Sequence, residues 1–152
     1  MAGLLLAAGV LFLVFTATET ESQFFVTVGE LYDMDETHRT SRMTVSGAVV
    51  GDSIIFQPEI PSLEFMIANI PSDLEKISEM GGLSAVLMDA VNDPDRERLM
   101  VVYDGAKPDL LKDGTQAIIR GALGDDGIFY AEELIMKCPT RYAEDLPGQI
   151  ED

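Results

Sequence analysis

Cysteine occurs once in this chain, at Cys138, and histidine once, at His38. One of each leaves no internal disulfide, no ligand set at zinc spacing and almost nothing from which to pair a nucleophile with a base. A Ser/His/Asp set, a glycine-rich phosphate loop and a carboxylate pair in recognisable context are missing as well, so the enzyme reading is weak. Positive charge is scarce: 10 Lys+Arg stand against 27 Asp+Glu, a formal charge of −17, and none of the ten precedes Arg39. Nucleic-acid binding begins with phosphate neutralisation by basic side chains, so this balance argues against DNA or RNA as partner. The acidic runs at 33–36 and 92–97 lack calcium-loop spacing and read as solvated, as does His38 in its polar surroundings.

Long apolar runs are confined to the start. Residues 1–18, MAGLLLAAGVLFLVFTAT, carry no charge, and Glu19 is the first. The length lies between a short membrane span and a long signal-peptide core. A basic flank is absent and TATETE lacks a clean small-x-small cleavage pair, so the expectation is an uncleaved membrane anchor helix over 1–18 with a polar linker at 19–23. The remaining chain is then outside the cytoplasm or at the membrane surface. A single cysteine there is buried, reactive or bonded to something else.

The 152 residues allow one ordinary domain with a short appendage. Thr27 and Glu30 fit a capping box that opens a short helix. From 43 to 50 apolar and polar residues alternate, with Met43, Val45, Gly47 and Val49 facing one way, as in a half-buried strand. Gly51-Asp52 reads as a turn into a second strand at 53–57, and 62–70 as a third. Residues 72–96 change period: a second capping box, Ser72 to Glu75, is followed by helical spacing at Leu74, Ile77 and Met80, broken by Gly81-Gly82 and resumed at 84–91. This helical insertion reads either as a long connection or as a partner-docking element. Strand patterns return at 98–105, 115–123 and 128–137, with a helical turn at 106–114 and the hairpin turn GDDG at 124–127. The fold expected is all-β: a small OB-like β-barrel over 24–137, preceded by the anchor, carrying the insertion at about 72–96 and ending in a flexible tail at 138–152.

Cys138 sits where that tail begins. Its downstream neighbours, Pro139, Thr140, Arg141, Ala143, Glu144 and Asp145, supply no apolar wall. The residues alone leave two readings open, an inert packing cysteine or a functional thiol. Lys137 and Arg141 flank it and favour the thiolate, the reactive form. They are a basic pair inside an acidic stretch, with Glu132 and Glu133 before and Glu144 and Asp145 after, which suits a site that receives an anion. Tyr142 follows four positions on. Extended, Cys138 and Tyr142 are about 13 Å apart; coiled into one helical turn, with Pro139 at its first position, they share a face at about 6 Å. Such a turn would let both address one ligand, and a phenolate is a known axial ligand to ferric haem.

Residues 101–142 carry a resemblance. Tyr103, Gly105, the run Pro108-Asp109-Leu110, Gly114, Gly121, Leu123, Gly127, Phe129, Ala131, Glu133, Leu134 and Lys137 resemble the haem chaperone family of the cytochrome c maturation system, CcmE. After that lysine the family usually has a histidine, three residues and a tyrosine; here Cys138 and Tyr142 stand there, the CxxxY form of a minority branch. The likeness covers about 97–142 well and 24–57 loosely, and leaves the insertion at 72–96 uncovered. The resemblance implies a carrier, not an enzyme: a membrane-anchored OB-fold protein, single-pass in the cytoplasmic membrane with its soluble domain on the periplasmic side. It would receive haem b and pass it on, with the haem-delivery and cytochrome c haem-ligase membrane components as partners. On the same resemblance Cys138 replaces the histidine that bonds covalently to a haem vinyl group, and Tyr142 is the iron ligand. Lys137 and Arg141 then stand near the propionates. The competing reading is a membrane-tethered OB-type module that binds a protein through its acidic surface and insertion, with Cys138 incidental.

Overall fold

The structure, a computed structural model, describes residues 25–138. The expected anchor at 1–18 and linker at 19–23, and Arg141, Tyr142 and the rest of the tail, lie outside the described residues. Among the described residues no helix is long and apolar enough to cross a membrane. The elements in chain order are β1 (Phe25–Thr27), α1 (Val28–Asp33), α2 (Glu36–Arg39), β2 (Met43–Gln57), β3 (Ser62–Ala68), α3 (Leu74–Glu79), α4 (Leu83–Asn92), β4 (Arg98–Tyr103), β5 (Gln116–Leu123) and β6 (Phe129–Lys137).

The alternating residues close into a barrel. β2 pairs antiparallel with β5 through its first half and with β3 through its second; β3 pairs with β4, β4 runs parallel to β6, and β6 returns antiparallel to β5. The ring β2-β3-β4-β6-β5 is therefore shut by the β2–β5 ladder, with β1 added parallel to β2 outside it. Five strands in this order form an OB-type barrel, the architecture expected. Val45 and Val49 point inward from β2, as the alternation requires, and meet Leu63, Phe65, Ile67, Leu99, Val101, Ile119 and Phe129 in one fully buried core. The capping box is present as expected: Glu30 N donates to Thr27 Oγ1 (3.3 Å) and Thr27 N to Glu30 Oε2 (2.8 Å). It starts α1, which contributes Val28 and Leu31 to the core.

The turn expected at Gly51-Asp52 does not form. β2 continues through it as one 15-residue strand, with a register shift against β3 between Val50 and Ile55. Ser53 makes this possible. Its hydroxyl donates to Val50 O (2.6 Å) and accepts from Met66 N (2.7 Å), so the irregular stretch keeps its hydrogen bonds while the strand bends. A second shift lies between Arg120 and Gly121 on the β5–β6 ladder. A Cβ at Gly121 would collide with the carbonyl oxygen of Tyr130, so the close approach that curves the sheet there needs glycine.

Other local expectations divide. The 124–127 hairpin is present, with Gly127 at φ +79° and its amide donating to Gly124 O (3.0 Å). The helical turn expected at 106–114 is instead two hydrogen-bonded turns, closed by Leu111 N to Pro108 O (3.0 Å) and Thr115 N to Lys112 O (3.3 Å). Pro108 disfavours helix at the residue before it, and the Asp113 carboxylate is taken by the amide of Gly51 (2.7 Å). The second capping box is also replaced. Asp73 is the N-cap of α3, accepting from Glu75 N at 2.9 Å, while the Ser72 hydroxyl turns away to donate to Glu30 Oε1 at 3.1 Å.

The insertion is structured. α4 sets Val86, Leu87, Ala90 and Val91 against Ala48, Val50, Ala68 and Ile70 of the barrel's outer surface, forming a second buried cluster. Burying a Val or Leu side chain contributes about 1.5–3 kcal/mol, so this helix belongs to the domain and the connecting-loop reading fails. The face by which α4 would dock a partner is occupied by its own barrel. By contrast, α3 buries none of its residues.

Candidate functional site

Successive residues of a strand point to opposite faces, so the register states what the barrel shows to solvent along β2, β5 and β6. Val45, Ile119 and Leu134 point inward; the flanking rows Thr44–Arg120–Glu133, Ser46–Ile118–Ile135 and Ala48–Gln116–Lys137 point outward. The middle row carries two isoleucines side by side on an outer surface. Ile118 is covered to 8% exposure and Ile135 is left at 47%. Beside them Phe25, the first residue of β1, is 56% exposed.

Two grooves flank this aromatic ring, sharing Phe25, Ile118 and Lys137. The smaller, of about 150 Å³, runs over Thr44, Arg120, Glu133 and Ile135. The larger, of about 350 Å³, lies between the same sheet face and the insertion, whose Leu74, Ile77 and Leu83 form its far side. Lys137 is exposed and is the last residue of β6. Cys138 follows it directly and is half-buried, less open than the sequence suggested.

Polar groups hold this surface in shape. Gln116 Nε2 donates to Ser46 Oγ across the β2–β5 ladder (2.9 Å), and Arg120 stands 3.8 Å from Glu133. Thr27 and Ser72, both lining the larger groove, donate to the Glu30 carboxylate. The Thr27 amide above all, helped by the Ser72 hydroxyl and partly opposed by burial, holds the Glu30 carboxyl below the usual carboxylate range. Glu30→Gln is expected to cost about 0.5–1 kcal/mol at neutral pH, the low end for a cap because this side chain is solvent-screened. The folded-state value lies below the unfolded one, so the contribution is complete above the ordinary carboxylate range and is lost as pH falls through the lowered value. Melting temperatures of the two proteins should converge on acidification; a constant gap would disprove the charge-assisted cap.

The structure thus brings Lys137 and Cys138 together at one end of an apolar surface, while Arg141 and Tyr142 lie outside the described residues. His38 is exposed on α2. Among the described residues no three His, Cys, Asp or Glu side chains gather as a metal site. The lining residues Phe25, Leu74, Ile118 and Ile135 escaped sequence reasoning. A signal was available: Ile118-Ile119 and Leu134-Ile135-Met136 put apolar residues on both faces of their strands, which a barrel with a bare outside does not need.

Residues 22–145 match the family model of the CcmE domain. The chain belongs to the CcmE family. Among curated CcmE proteins, the cytochrome c-type biogenesis protein of Nitrosomonas europaea is 46% identical over 46 residues, 30% of this chain and 31% of that protein. That of Ralstonia pickettii is 45% identical over 52 residues, 34% of this chain and 31% of that protein. These matches span about a third of the CcmE relatives' own length. Of solved structures, the OB-fold domain of the haem chaperone CcmE from Desulfovibrio vulgaris aligns over 70% of this chain and 93% of that one, at 24% identity and a TM-score of 0.45. The likeness in Tyr103, the Pro108-Asp109-Leu110 run and the glycines therefore marks membership of the CcmE family.

Proposed function

We propose that this CcmE-family chain is a haem chaperone, anchored in the cytoplasmic membrane by residues 1–18 with its barrel on the extracytoplasmic side, and that it carries haem b for cytochrome c maturation. The observation that supports this most is the apolar outer face along β5 and β6, which ends at Lys137 and Cys138. Haem is a flat apolar ring with two propionates at one edge, vinyl groups at another and an iron at its centre. The residues present suit each part. Ile118, Ile135 and Phe25 offer apolar contact to the ring, and the Lys137 ammonium offers a counter-charge to a propionate.

Cys138 makes the covalent bond. Its S–H adds across a vinyl C=C: the sulfur–carbon bond forms at one vinyl carbon, the S–H bond breaks, and the proton ends on the other carbon. The addition is redox-neutral and requires no oxidant. Tyr142 supplies the phenolate that ligates the iron, and Arg141 stands near the second propionate. The carrier exchanges its cargo with haem-delivery and cytochrome c haem-ligase components of the membrane.

The test uses the full chain in detergent, incubated with haem under reducing conditions and extracted with acid-acetone. Colour that stays with the protein, and a peroxidase-active band on a denaturing gel, are expected. A colourless protein would return the chain to the interaction-module reading, with Cys138 incidental. Tyr142→Phe should keep the covalent haem but change the ferric Soret position and the charge-transfer band; a ferric spectrum identical to the wild type's removes Tyr142 as ligand.

A further inference from the structure

The insertion gives the haem surface a second side. Its helix α3 buries no residue of its own, yet it is held at both ends. Asp73 caps its start (2.9 Å to Glu75 N), and the Ser72 hydroxyl ties that start to Glu30 (3.1 Å). At the far end Gly81 and Gly82, at φ +94° and +90°, reverse the chain, and the Gly82 amide donates back to Ile77 O (2.9 Å). Beyond them α4 is fastened to the barrel by the second buried cluster.

What this helix presents to the groove is apolar, while Glu75, Lys76, Ser78 and Glu79 face solvent. Leu74 and Ile77, three residues apart and so on one face, line the larger groove opposite Ile118 and Phe25. Leu74 is 81% exposed, so the packing of the fold does not account for it. The groove's volume of about 350 Å³ falls in the range of about 300–1,000 Å³ that holds small ligands. Its lining is apolar except for a few hydroxyl and amide groups, and among the described residues Lys137 is its one charged side chain. In a chain of formal charge −17, a groove whose lining carries a lysine, and whose neighbouring Glu30 carboxylate is already engaged by Thr27 and Ser72, suits a ligand that is apolar in body and acidic at one edge.

We infer that α3 is the second wall of a porphyrin slot: Leu74 and Ile77 hold a dicarboxylic tetrapyrrole against Ile118 and Phe25, and so provide noncovalent affinity before Cys138 reacts. The inference rests on the haem-carrier reading and adds to it the residues that retain the macrocycle without bonding to it. The occupant is a porphyrin rather than a peptide because the lysine borders the groove where the chain runs straight into Cys138.

Iron-free protoporphyrin IX separates the slot from the rest of the site, since without iron Tyr142 has nothing to ligate. Its binding to the full chain, in the dark and at fixed detergent concentration, is read by fluorescence anisotropy. Leu74→Asp removes one apolar wall side chain from the ligand and should weaken binding by about tenfold, with Leu74→Ala losing less in the same direction. An aspartate in the first turn of a helix is well tolerated, and far-UV circular dichroism should match the wild type. Ile60→Asp, at another exposed apolar residue, between β2 and β3 (67% exposed), should leave affinity unchanged. Affinity in Leu74→Asp equal to the wild type's, or an equal loss in Ile60→Asp, overturns the slot even if the protein still acquires covalent haem. Failure of the wild-type chain to retain haem through acid-acetone is a different reading in a different assay and overturns the carrier.

Discussion

Cys138→Ala is expected to hold no covalent haem at all after incubation under the conditions in which the wild-type chain becomes coloured. The chain has no second thiol to take over the addition and its one histidine is on α2, not at the end of β6, so the loss should be to background rather than partial. The substitution sits just past the final strand, outside the buried core, so the barrel should still fold. Noncovalent uptake of protoporphyrin should survive, because the apolar face and Lys137 are intact. Cys138→Ser, which keeps the size and discards the nucleophile, should behave the same way. Cys138→His places at this position the residue that the family usually has there and should recover covalent haem as a different adduct, distinguishable by resistance of the bond to thioether-cleaving reagents. Covalent haem in Cys138→Ala equal to the wild type's, measured by the mass of the intact protein, ends the proposal that this sulfur is the point of attachment.

Phe129→Ala is expected to have the largest effect on the fold. Phe129 is the first residue of β6 and is fully buried. It pairs with Val101 of β4 on one side and with Leu123 of β5 on the other, where the parallel and antiparallel ladders of the barrel meet. Truncating a buried phenylalanine costs about 3–5 kcal/mol through lost burial and the cavity left behind. Set against about 5–15 kcal/mol for a whole domain, that is enough to unfold a substantial fraction of the protein at growth temperature. The urea midpoint should fall sharply with the slope kept. A loss below about 1 kcal/mol, the ordinary size for an unremarkable substitution, would show that this residue does not hold the barrel core together. Because β6 leads directly into Lys137 and Cys138, haem uptake should fall with stability and recover where the variant is still folded, at low temperature.

Much of the architecture was legible in the chain because barrel strands report themselves locally. Val45 and Val49 alternate with outward residues, Thr27 and Glu30 mark a helix start, and Gly127 allows the positive φ that the last hairpin requires. Lys137 and Cys138 were singled out the same way, from a reversal of charge around the one cysteine, and Tyr142 from its spacing four positions on. Where local reading failed, the deciding partner was distant. Gly51-Asp52 looks like a turn, yet β2 passes through it because the Ser53 hydroxyl serves Met66, thirteen residues on. Ser72 looks like a helix cap, yet its hydroxyl goes to Glu30, forty-two residues away, and leaves the cap to Asp73.

The apolar outer face along β5 and β6 belongs to that second kind. By itself the amino-acid order determined which residues alternate and where the turns with special backbone angles fall, since each depends on neighbours within about four positions. Only the closed barrel decided that Ile118 lies beside Ile135, that Phe25 flanks them, and that Leu74 faces them across a groove. Register between strands and the docking of α4 bring these residues together, and both come from burying apolar side chains far apart along the chain, a contest that no local pattern records.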